Sequence, residues 1–143
     1  MILYSIQEKV LFEKEDVTQK ELVEAAVKER VNLAKVNLRK FDLSGANLTQ
    51  ARFSGCNLWG ACLDCANLTG ADLTGADCRM VECLQTNFTR AYCAYADFSG
   101  AKFDHAIFDN VDFTASIFSH PSFWTQKLDK ISSLNQAIYN HLG

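Results

Sequence analysis

The most constraining feature of this sequence is a five-residue repeat that runs without an insertion from residue 31 to residue 120. Read in fives from Val31, the chain begins VNLAK, VNLRK, FDLSG and ANLTQ and continues through eighteen units to SIFSH. The third residue of every unit is Leu, Phe or Cys, and the first is nearly always small or aliphatic, with Phe41 as the large exception. The second residue is usually Asn or Asp, and the fifth is often Gly. A tandem repeat of this kind indicates a solenoid in which units stack on their neighbours.

A period of five fits neither an α-helix nor a straight β-strand. Five residues turn an α-helix by about 500°, so successive apolar residues would lie on different faces of the helix. On a strand, an odd step places successive units on opposite faces. If the chain instead bends at the end of every unit, the first and third residues of all units can face inward, and four sides close a square coil. Gly, Ser, Thr and Asp near the end of a unit suit such bends.

The pattern resembles the pentapeptide-repeat family, A-[DN]-[LF]-x-x, over residues 31–120, about two-thirds of the chain. The resemblance implies an all-β solenoid, a right-handed quadrilateral β-helix. Eighteen units at four per coil give about 4.5 coils. The repeat is therefore specific for a fold, but it says little about function, because one fold serves many functions.

The ends of a solenoid expose apolar surface and unpaired edges, so each end needs a cap. We predict an N-terminal cap over residues 1–30. Residues 2–6 and 9–13 read as short strands of a hairpin around Gln7 and Glu8. Thr18 and Glu21 have the spacing of a capping box, which opens a helix through about Arg30. This head is similar to that of some phage and prophage members of the family.

The C-terminal segment, residues 121–143, is predicted to form a second cap. Pro121 interrupts the repeat, and residues 125–142 carry apolar side chains at helical spacing. The prediction is a helix lying over the Phe-rich end of the core. Tails of some family members also dimerise, which implies a homodimer as an alternative role for this end. The candidate dimer residues are Phe118, Phe123, Trp124, Leu128, Ile131, Leu134 and Ile138.

The six cysteines include a C-x-x-C formed by Cys62 and Cys65, which can be typical of zinc or redox sites. Their positions in the repeat favour neither. Cys62 and Cys65 occupy outward positions, no second pair of ligands follows at metal spacing, and the other four cysteines occupy inward positions. We therefore expect no metal, no cofactor and no enzymatic site. Nothing in the sequence matches a nucleophile elbow, a phosphate loop or a paired-carboxylate site.

Composition narrows the partner classes. The net charge of −3 argues against direct nucleic-acid binding, because nucleic-acid-binding proteins usually carry a clustered basic region. No apolar run approaches the roughly 20 residues of a membrane span, and the first residues do not read as a signal peptide. We therefore expect no membrane association and a cytoplasmic, reducing location, where cysteines stay as thiols.

The outward positions carry the candidate function, which is binding a protein partner with a rigid face of the solenoid. These positions are normally polar, so large apolar residues there mark a candidate binding surface. Trp59 and Met80 fall on the same side of successive coils and are expected to form one patch. The remaining apolar candidates are Tyr92, Tyr95 and Ile117.

DNA mimicry is the alternative function. Some pentapeptide-repeat proteins are acidic rods that occupy the DNA-binding saddle of DNA gyrase, and the resemblance implies the same option for this chain. Within residues 31–120 the carboxylates lie mostly beyond residue 64, and Asp77 and Asp97 are the candidates on the Trp59 side. This chain is shorter and only weakly acidic, which makes a general protein-interaction module the preferred hypothesis.

Overall fold

A computed structural model of the chain describes residues 1–139. Its regular elements are few and short. Strands β1 (Ile2–Tyr4) and β2 (Val10–Glu13) form an antiparallel pair, and helix α1 (Gln19–Lys28) follows. Strands β3 (Asp97–Phe98), β4 (Ile117–Phe118) and β5 (Ile138–Tyr139) form a parallel sheet, with a 3-10 turn at Pro121–Phe123. No helix within residues 1–139 is long and apolar enough to cross a membrane.

Between these elements the backbone forms stacked coils of twenty residues. Parallel bridges join Asn37 to Asn57, Asn57 to Asp77 and Asp77 to Asp97, and the other three sides of the coil carry the same twenty-residue offset. Side one contains the units that begin at residues 31, 51, 71, 91 and 111. Sides two, three and four begin five, ten and fifteen residues later. Each side is extended for only two or three residues, so the strands are short even though the ladder is continuous.

The corners of the coil place the fifth residue of most units in the left-handed region. Six glycines have φ between 63° and 73°, and residues such as Lys35 and Met80 adopt the same conformation at φ 59°. Long side chains at these corners lie over the glycine of the next coil. The side chain of Lys40 would come within 3.6 Å of a Cβ at Gly60, and that of Met80 within 2.4 Å of a Cβ at Gly100. The alternation of long residues with glycine in one column therefore reflects packing between coils.

Gly100→Ala is expected to lower the free energy of unfolding by about 1–2 kcal/mol, because Gly100 has φ +73° and the new methyl group meets the sulfur of Met80. Gly75→Ala is the matched control, since Gly75 has φ +67° and nothing lies within 4 Å of its Cβ position. Urea denaturation of both variants separates the backbone cost from the contact. Equal losses in the two variants would show that the Met80 contact contributes nothing.

The first and third residues of the units fill the interior, as the sequence predicts. Every third-position residue from Leu33 to Phe118 is buried, and Cys56, Cys78, Cys83 and Cys93 are buried with them. Leucines fill the first coils, and phenylalanines fill the last ones. Thr86 is a buried polar residue at a first position, and its hydroxyl donates to the Leu63 carbonyl at 2.7 Å. Within residues 1–139, no buried side-chain nitrogen or oxygen lacks a hydrogen-bond partner.

The N-terminal head covers the edge of the first coil. The predicted capping box is confirmed: the Thr18 hydroxyl accepts from the Glu21 N–H, and the Glu21 carboxylate accepts from the Thr18 N–H. Leu22, Val23 and Ala26 pack into the same core as the repeats. The first coil has no preceding coil to bond, so side chains of α1 take its place. Gln19 accepts from the Asp42 N–H at 2.9 Å, and Glu24 accepts from the Asn47 N–H at 2.8 Å.

The prediction of a C-terminal helix over residues 125–142 is wrong for residues 125–139, and residues 140–142 lie outside the described part. The coil continues there instead: Asn110 donates to the Lys130 carbonyl at 2.7 Å, and β5 pairs with β4. Ser132 is one extra residue, and its N–H and hydroxyl both reach the Val111 carbonyl. This insertion turns a spacing of two into a spacing of three between Ile131 and Leu134. The inward residues consequently mimic the period of a helix.

Candidate functional site

The outward face of each side is set by a local hydrogen bond. The side chain of the second-position Asn or Asp accepts from the N–H two residues later; Asn57, for example, accepts from the Trp59 N–H at 3.0 Å. Many of these side chains also accept from the fourth-position hydroxyl, as Asn67 does from Thr69 at 2.6 Å. The second and fourth residues are thereby held on the outside of the coil. An outward residue that takes no part in this hydrogen-bond pattern is available to contact a partner.

Trp59 and Met80, which the sequence places on one side, have different surroundings. Trp59 is half-buried, because the guanidinium of Arg39 lies 4.1 Å from its ring centroid and the ammonium of Lys40 lies at 5.6 Å. Met80 is 55% exposed and its thioether lies over Gly100. Two cations from the first coil therefore already cover the indole, which leaves Met80 as the more open of the two. A shared binding patch stays a prediction.

Among the large hydrophobic side chains of residues 1–139, Tyr92 and Tyr95 are the most exposed. They belong to one unit on side one, and their exposed fractions are 57% and 67%. Tyr92 bridges through its backbone to Asp72 on the coil before and to Asp112 on the coil after. The two aromatic rings therefore project from a fixed backbone that carries a carboxylate on each neighbouring coil.

The predicted residues Asp77, Asp97 and Ile117 follow one another in a column on side two. The Arg79 guanidinium donates to both carboxylate oxygens of Asp77, at 2.9 and 2.8 Å. These hydrogen bonds hold the pKa of the Asp77 carboxyl below its ordinary value. Asp97 accepts from the Ser99 hydroxyl at 2.6 Å, and Ile117 is half-buried next to Ile138. The two carboxylates are thus engaged by their own units.

Ion pairs interrupt the acidic surface that DNA mimicry would need. Arg79 pairs with Asp77 at 2.8 Å, Lys102 approaches Glu82 at 3.4 Å, and Lys130 lies 4.0 Å from Asp109. These pairs are largely exposed, so each adds little stability. They nevertheless place positive charge among the carboxylates on sides two, three and four. The interspersed signs weigh against one continuous acidic face.

The residues predicted for dimerisation separate into three groups by burial. Phe118 and Phe123 are buried within the chain, with ring centroids 3.7 Å apart, so they belong to the core. Leu128, Ile131 and Leu134 are half-buried side chains packed against that core from the last described coil. The remaining two, Trp124 and Ile138, are exposed. The structure therefore offers the second group and these two residues, but not the phenylalanines, to a second copy.

The cysteines divide as their repeat positions predict. All six are free thiols, with Cys65 exposed and Cys62 half-buried. Burial raises the pKa of the four inward thiols, Cys56, Cys78, Cys83 and Cys93, well above the ordinary value. A thiol must ionise to react as a nucleophile, so the inward thiols are expected to be inert in the folded chain.

Maleimide labelling of the native protein at neutral pH is expected to add two groups, at Cys62 and Cys65, and to reach six groups only after unfolding. Intact-mass spectrometry with peptide mapping counts and places them. The urea-unfolded chain is the control for complete reaction. Labelling of three or more thiols before unfolding would contradict the inward placement.

One cluster escaped the sequence reasoning because it forms between coils. The Cys62 sulfur and carboxylate oxygens of Asp64 and Glu82 all lie within 4.8 Å of one another on side three. The twenty-residue spacing in the sequence could have revealed this cluster, since Glu82 follows Cys62 by twenty residues and so stacks directly on it. The Asp64 carboxylate already accepts from the Leu84 N–H at 2.8 Å. Exposed acidic groups of this kind are common without an ion, so we assign no metal here.

The repeat region matches a family model described as pentapeptide repeats, with eight copies over residues 29–58, 51–82 and 82–119. No curated protein matches the chain. Among solved structures, a pentapeptide repeat protein from the thylakoid lumen of Arabidopsis thaliana is 33% identical over 56% of this chain and 52% of that chain, with a TM-score of 0.31. This chain thus covers about half the length of that protein.

Two further solved structures are similar to this chain. A pentapeptide repeat protein from Nostoc PCC 7120 is 21% identical over 90% of this chain and 100% of that chain, with a TM-score of 0.34. Full-length QnrB1, described as a plasmid-mediated fluoroquinolone resistance protein, is 14% identical over 73% of this chain and 61% of that chain, with a TM-score of 0.31. The family model, by contrast, spans more than half of the chain. The protein belongs to the pentapeptide repeat family, whose members fold as right-handed quadrilateral β-helices.

Proposed function

We propose that this protein is a non-enzymatic interaction module that binds a protein partner through the unit containing Tyr92 and Tyr95. Pentapeptide repeat proteins are generally structural or interaction modules. The observation that carries the proposal is the exposure of two tyrosines in one unit whose neighbouring coils carry carboxylates. Tyrosine is enriched among the residues that dominate protein–protein binding energy.

The backbone that carries these tyrosines is held on both sides. The Tyr92 N–H donates to the Ala71 carbonyl at 2.9 Å, and the Tyr95 N–H donates to the Thr114 carbonyl at 2.8 Å. Cys93 lies between them and is fully buried. A partner therefore has to immobilise only side chains, and tyrosine loses little conformational entropy on binding.

The charges around the tyrosines indicate the chemistry of the partner. Asp72 and Asp112 lie on the neighbouring coils of the same column as Tyr92. A guanidinium or ammonium group can stack on a tyrosine ring while its charge is balanced by a nearby carboxylate. We expect the partner surface to present Arg or Lys together with apolar groups.

The test compares the partners captured by the wild-type protein and by a Tyr92→Ser, Tyr95→Ser double variant in lysate of the source organism. Loss of two hot-spot side chains is expected to weaken a specific complex by about thirtyfold or more, which corresponds to roughly 2 kcal/mol. Tyr4→Ser is the matched control, because Tyr4 is exposed in the N-terminal head. Proteins retained equally by all three forms would contradict the proposal.

We also propose, as a separate hypothesis, that the C-terminal coil forms a homodimer. Its support is the apolar content of the last described coil, where Leu128, Ile131 and Leu134 are half-buried and Ile138 is 51% exposed. Ile138→Asp is expected to shift sedimentation from dimer to monomer, since a buried unpaired carboxylate opposes association. Ile107→Asp is the control, because Ile107 is 45% exposed at the same repeat position on side four. A wild-type monomer at micromolar concentration would exclude the dimer.

A reducing, cytoplasmic location remains part of the proposal. Its support is that all six cysteines are free thiols in the fold, including the exposed Cys65. Disulfides persist mainly in oxidising compartments. Localisation of a tagged full-length chain in its own host tests this directly, and secretion would contradict it.

A further inference from the structure

A basic hollow lies where the C-terminal end of α1 meets the first two coils. Its volume is about 660 Å³, and its charged lining residues are Lys28, Arg30 and Arg52. Val27 and Val31 provide apolar lining. Among the described residues, no carboxylate lines it. The size falls within the range of about 300–1,000 Å³ that is usual for small-molecule sites.

These cations are not needed to satisfy the end of the helix. Lys and Arg often lie near helix C-termini, where they interact with unpaired carbonyls. Here the carbonyls of Ala25, Ala26 and Val27 accept from backbone N–H groups of residues 29, 31 and 30, respectively, at 2.9–3.0 Å. Backbone N–H groups thus satisfy three of the last four carbonyls of the helix. Lys28 and Arg30 remain available to bind an anion.

The same cations also lack acidic partners. The ion pairs found within residues 1–139 involve Asp77, Glu82 and Asp109, all distant in sequence from the hollow. The nearest acids along the chain and the ladder are Glu24, Glu29 and Asp72. Glu24 accepts from the Asn47 N–H, and Asp72 accepts from the Thr74 N–H at 2.9 Å. Glu29, the C-cap residue of α1, is exposed and does not line the hollow.

Neutral donors complete the lining. Asn47, Thr49 and Gln50 border the hollow. The oxygen of the Asn47 amide accepts from the N–H and the hydroxyl of Thr49, and its NH₂ group takes no part in these contacts. Three cations with amide donors, and no acid among the lining residues, favour an anion. Apolar lining from two valines favours an anion that also carries an organic group.

We infer that this hollow binds a small phosphate monoester. The phosphate would take hydrogen bonds from the guanidinium groups of Arg30 and Arg52, which suit phosphate in a bidentate geometry, and charge from Lys28. The organic group would contact Val27 and Val31. The site lies at the opposite end of the repeats from the C-terminal coil and on different units from Tyr92 and Tyr95, so it is independent of the proposed interaction surface.

The test is an NMR titration of the full-length protein with phenyl phosphate at constant ionic strength, monitored by backbone amide shifts. Saturable shifts are expected in residues 28–31 and 47–52, with a submillimolar Kd. Phenol, which lacks the phosphate, is expected to cause no saturable shift. Saturation by phenol, or the absence of saturation by millimolar phenyl phosphate, would overturn the inference.

Two variants assign the effect to the named cations. Arg30 has φ 56°, a conformation that glycine adopts without strain, so Arg30→Gly removes the guanidinium while the backbone is preserved. It is expected to raise the Kd at least about tenfold, as is Arg52→Gln. Lys35→Gly is the matched control, because Lys35 has φ 59° and lies outside the hollow. If Lys35→Gly raised the Kd equally, the binding would be explained by general charge attraction, and the site would be refuted.

Discussion

Raising the pH above about 8.5 is expected to destabilise this protein steeply, because four thiols are buried in its core. Burial raises the pKa of Cys56, Cys78, Cys83 and Cys93, so the folded chain keeps these protons. The unfolded chain releases them above the ordinary thiol pKa. It then binds fewer protons than the folded chain, and the free energy of unfolding falls as pH rises.

The slope of this effect follows from the number of protons. Each buried thiol contributes about 1.4 kcal/mol per pH unit, so four contribute about 5 kcal/mol per unit. A domain with about 5–15 kcal/mol of total stability would lose most of it within a few pH units. The measurement is urea denaturation between pH 7 and pH 10.5 under reducing, anaerobic conditions, which prevent oxidation of the released thiolates.

Cys56→Ala is the matched control for the alkaline slope. Cys56 occupies a first position, which holds Ala in most units, so the substitution fits the fold. The variant is expected to lose about a quarter of the slope, near 1.4 kcal/mol per pH unit, with a small change in stability at pH 7. Cys65→Ala removes an exposed thiol and is expected to leave the slope unchanged. Equal slopes in all three forms would show that the buried thiols do not govern alkaline unfolding.

The interior could be predicted from the sequence because the repeat constrains each residue independently. A third-position Leu, Phe or Cys is buried in every unit, whatever its neighbours, since the bend after each unit returns it to the same orientation. The wrong prediction of a C-terminal helix also follows from the spacing of the inward residues. Once Ser132 adds a residue, the spacing from Leu128 to Ile131 to Leu134 is compatible with either a coil or a helix. The hydrogen bonds to the preceding coil, such as that from Asn110 to Lys130, and the parallel pairing of β5 with β4 distinguish them.

The surface could be predicted only in part, because its neighbours come from other coils. Repeat position correctly placed Tyr92 and Tyr95 on the outside. It did not show that Arg39 and Lys40 cover Trp59, which depends on the length and direction of two flexible side chains. The basic hollow was also missed, since Arg30 lies outside the repeat and lines the same hollow as Arg52 only when α1 packs against the coils.

Phe103→Ala is expected to cost about 3–5 kcal/mol of stability, the range for loss of a fully buried phenylalanine. Phe103 is 1% exposed and its ring contacts five other phenylalanine rings at centroid distances of 5.3–6.1 Å. Two of those rings, Phe88 and Phe98, precede it along the chain, and three, Phe108, Phe118 and Phe123, follow it. They surround Phe103 from sides two, three and four of the coil. Its removal therefore leaves a cavity that the rigid backbone ladder cannot close.

Two substitutions and two tryptophans make this loss interpretable. Phe103→Leu places the commoner third-position residue at the site and is expected to cost less than about 1.5 kcal/mol. Phe41→Ala removes the same ring from a half-buried first position that usually holds Ala, so its cost is expected to be small. Trp59 and Trp124 report by fluorescence on the early and late coils, and each can be replaced by Phe to isolate the other. Because each coil contacts only its neighbours, Phe103→Ala is expected to destabilise the late coils most. The urea midpoint measured by Trp124 fluorescence should therefore fall at least as much as the midpoint measured by Trp59 fluorescence. An unchanged Trp124 midpoint would show that the phenylalanine cluster does not hold the C-terminal coils together.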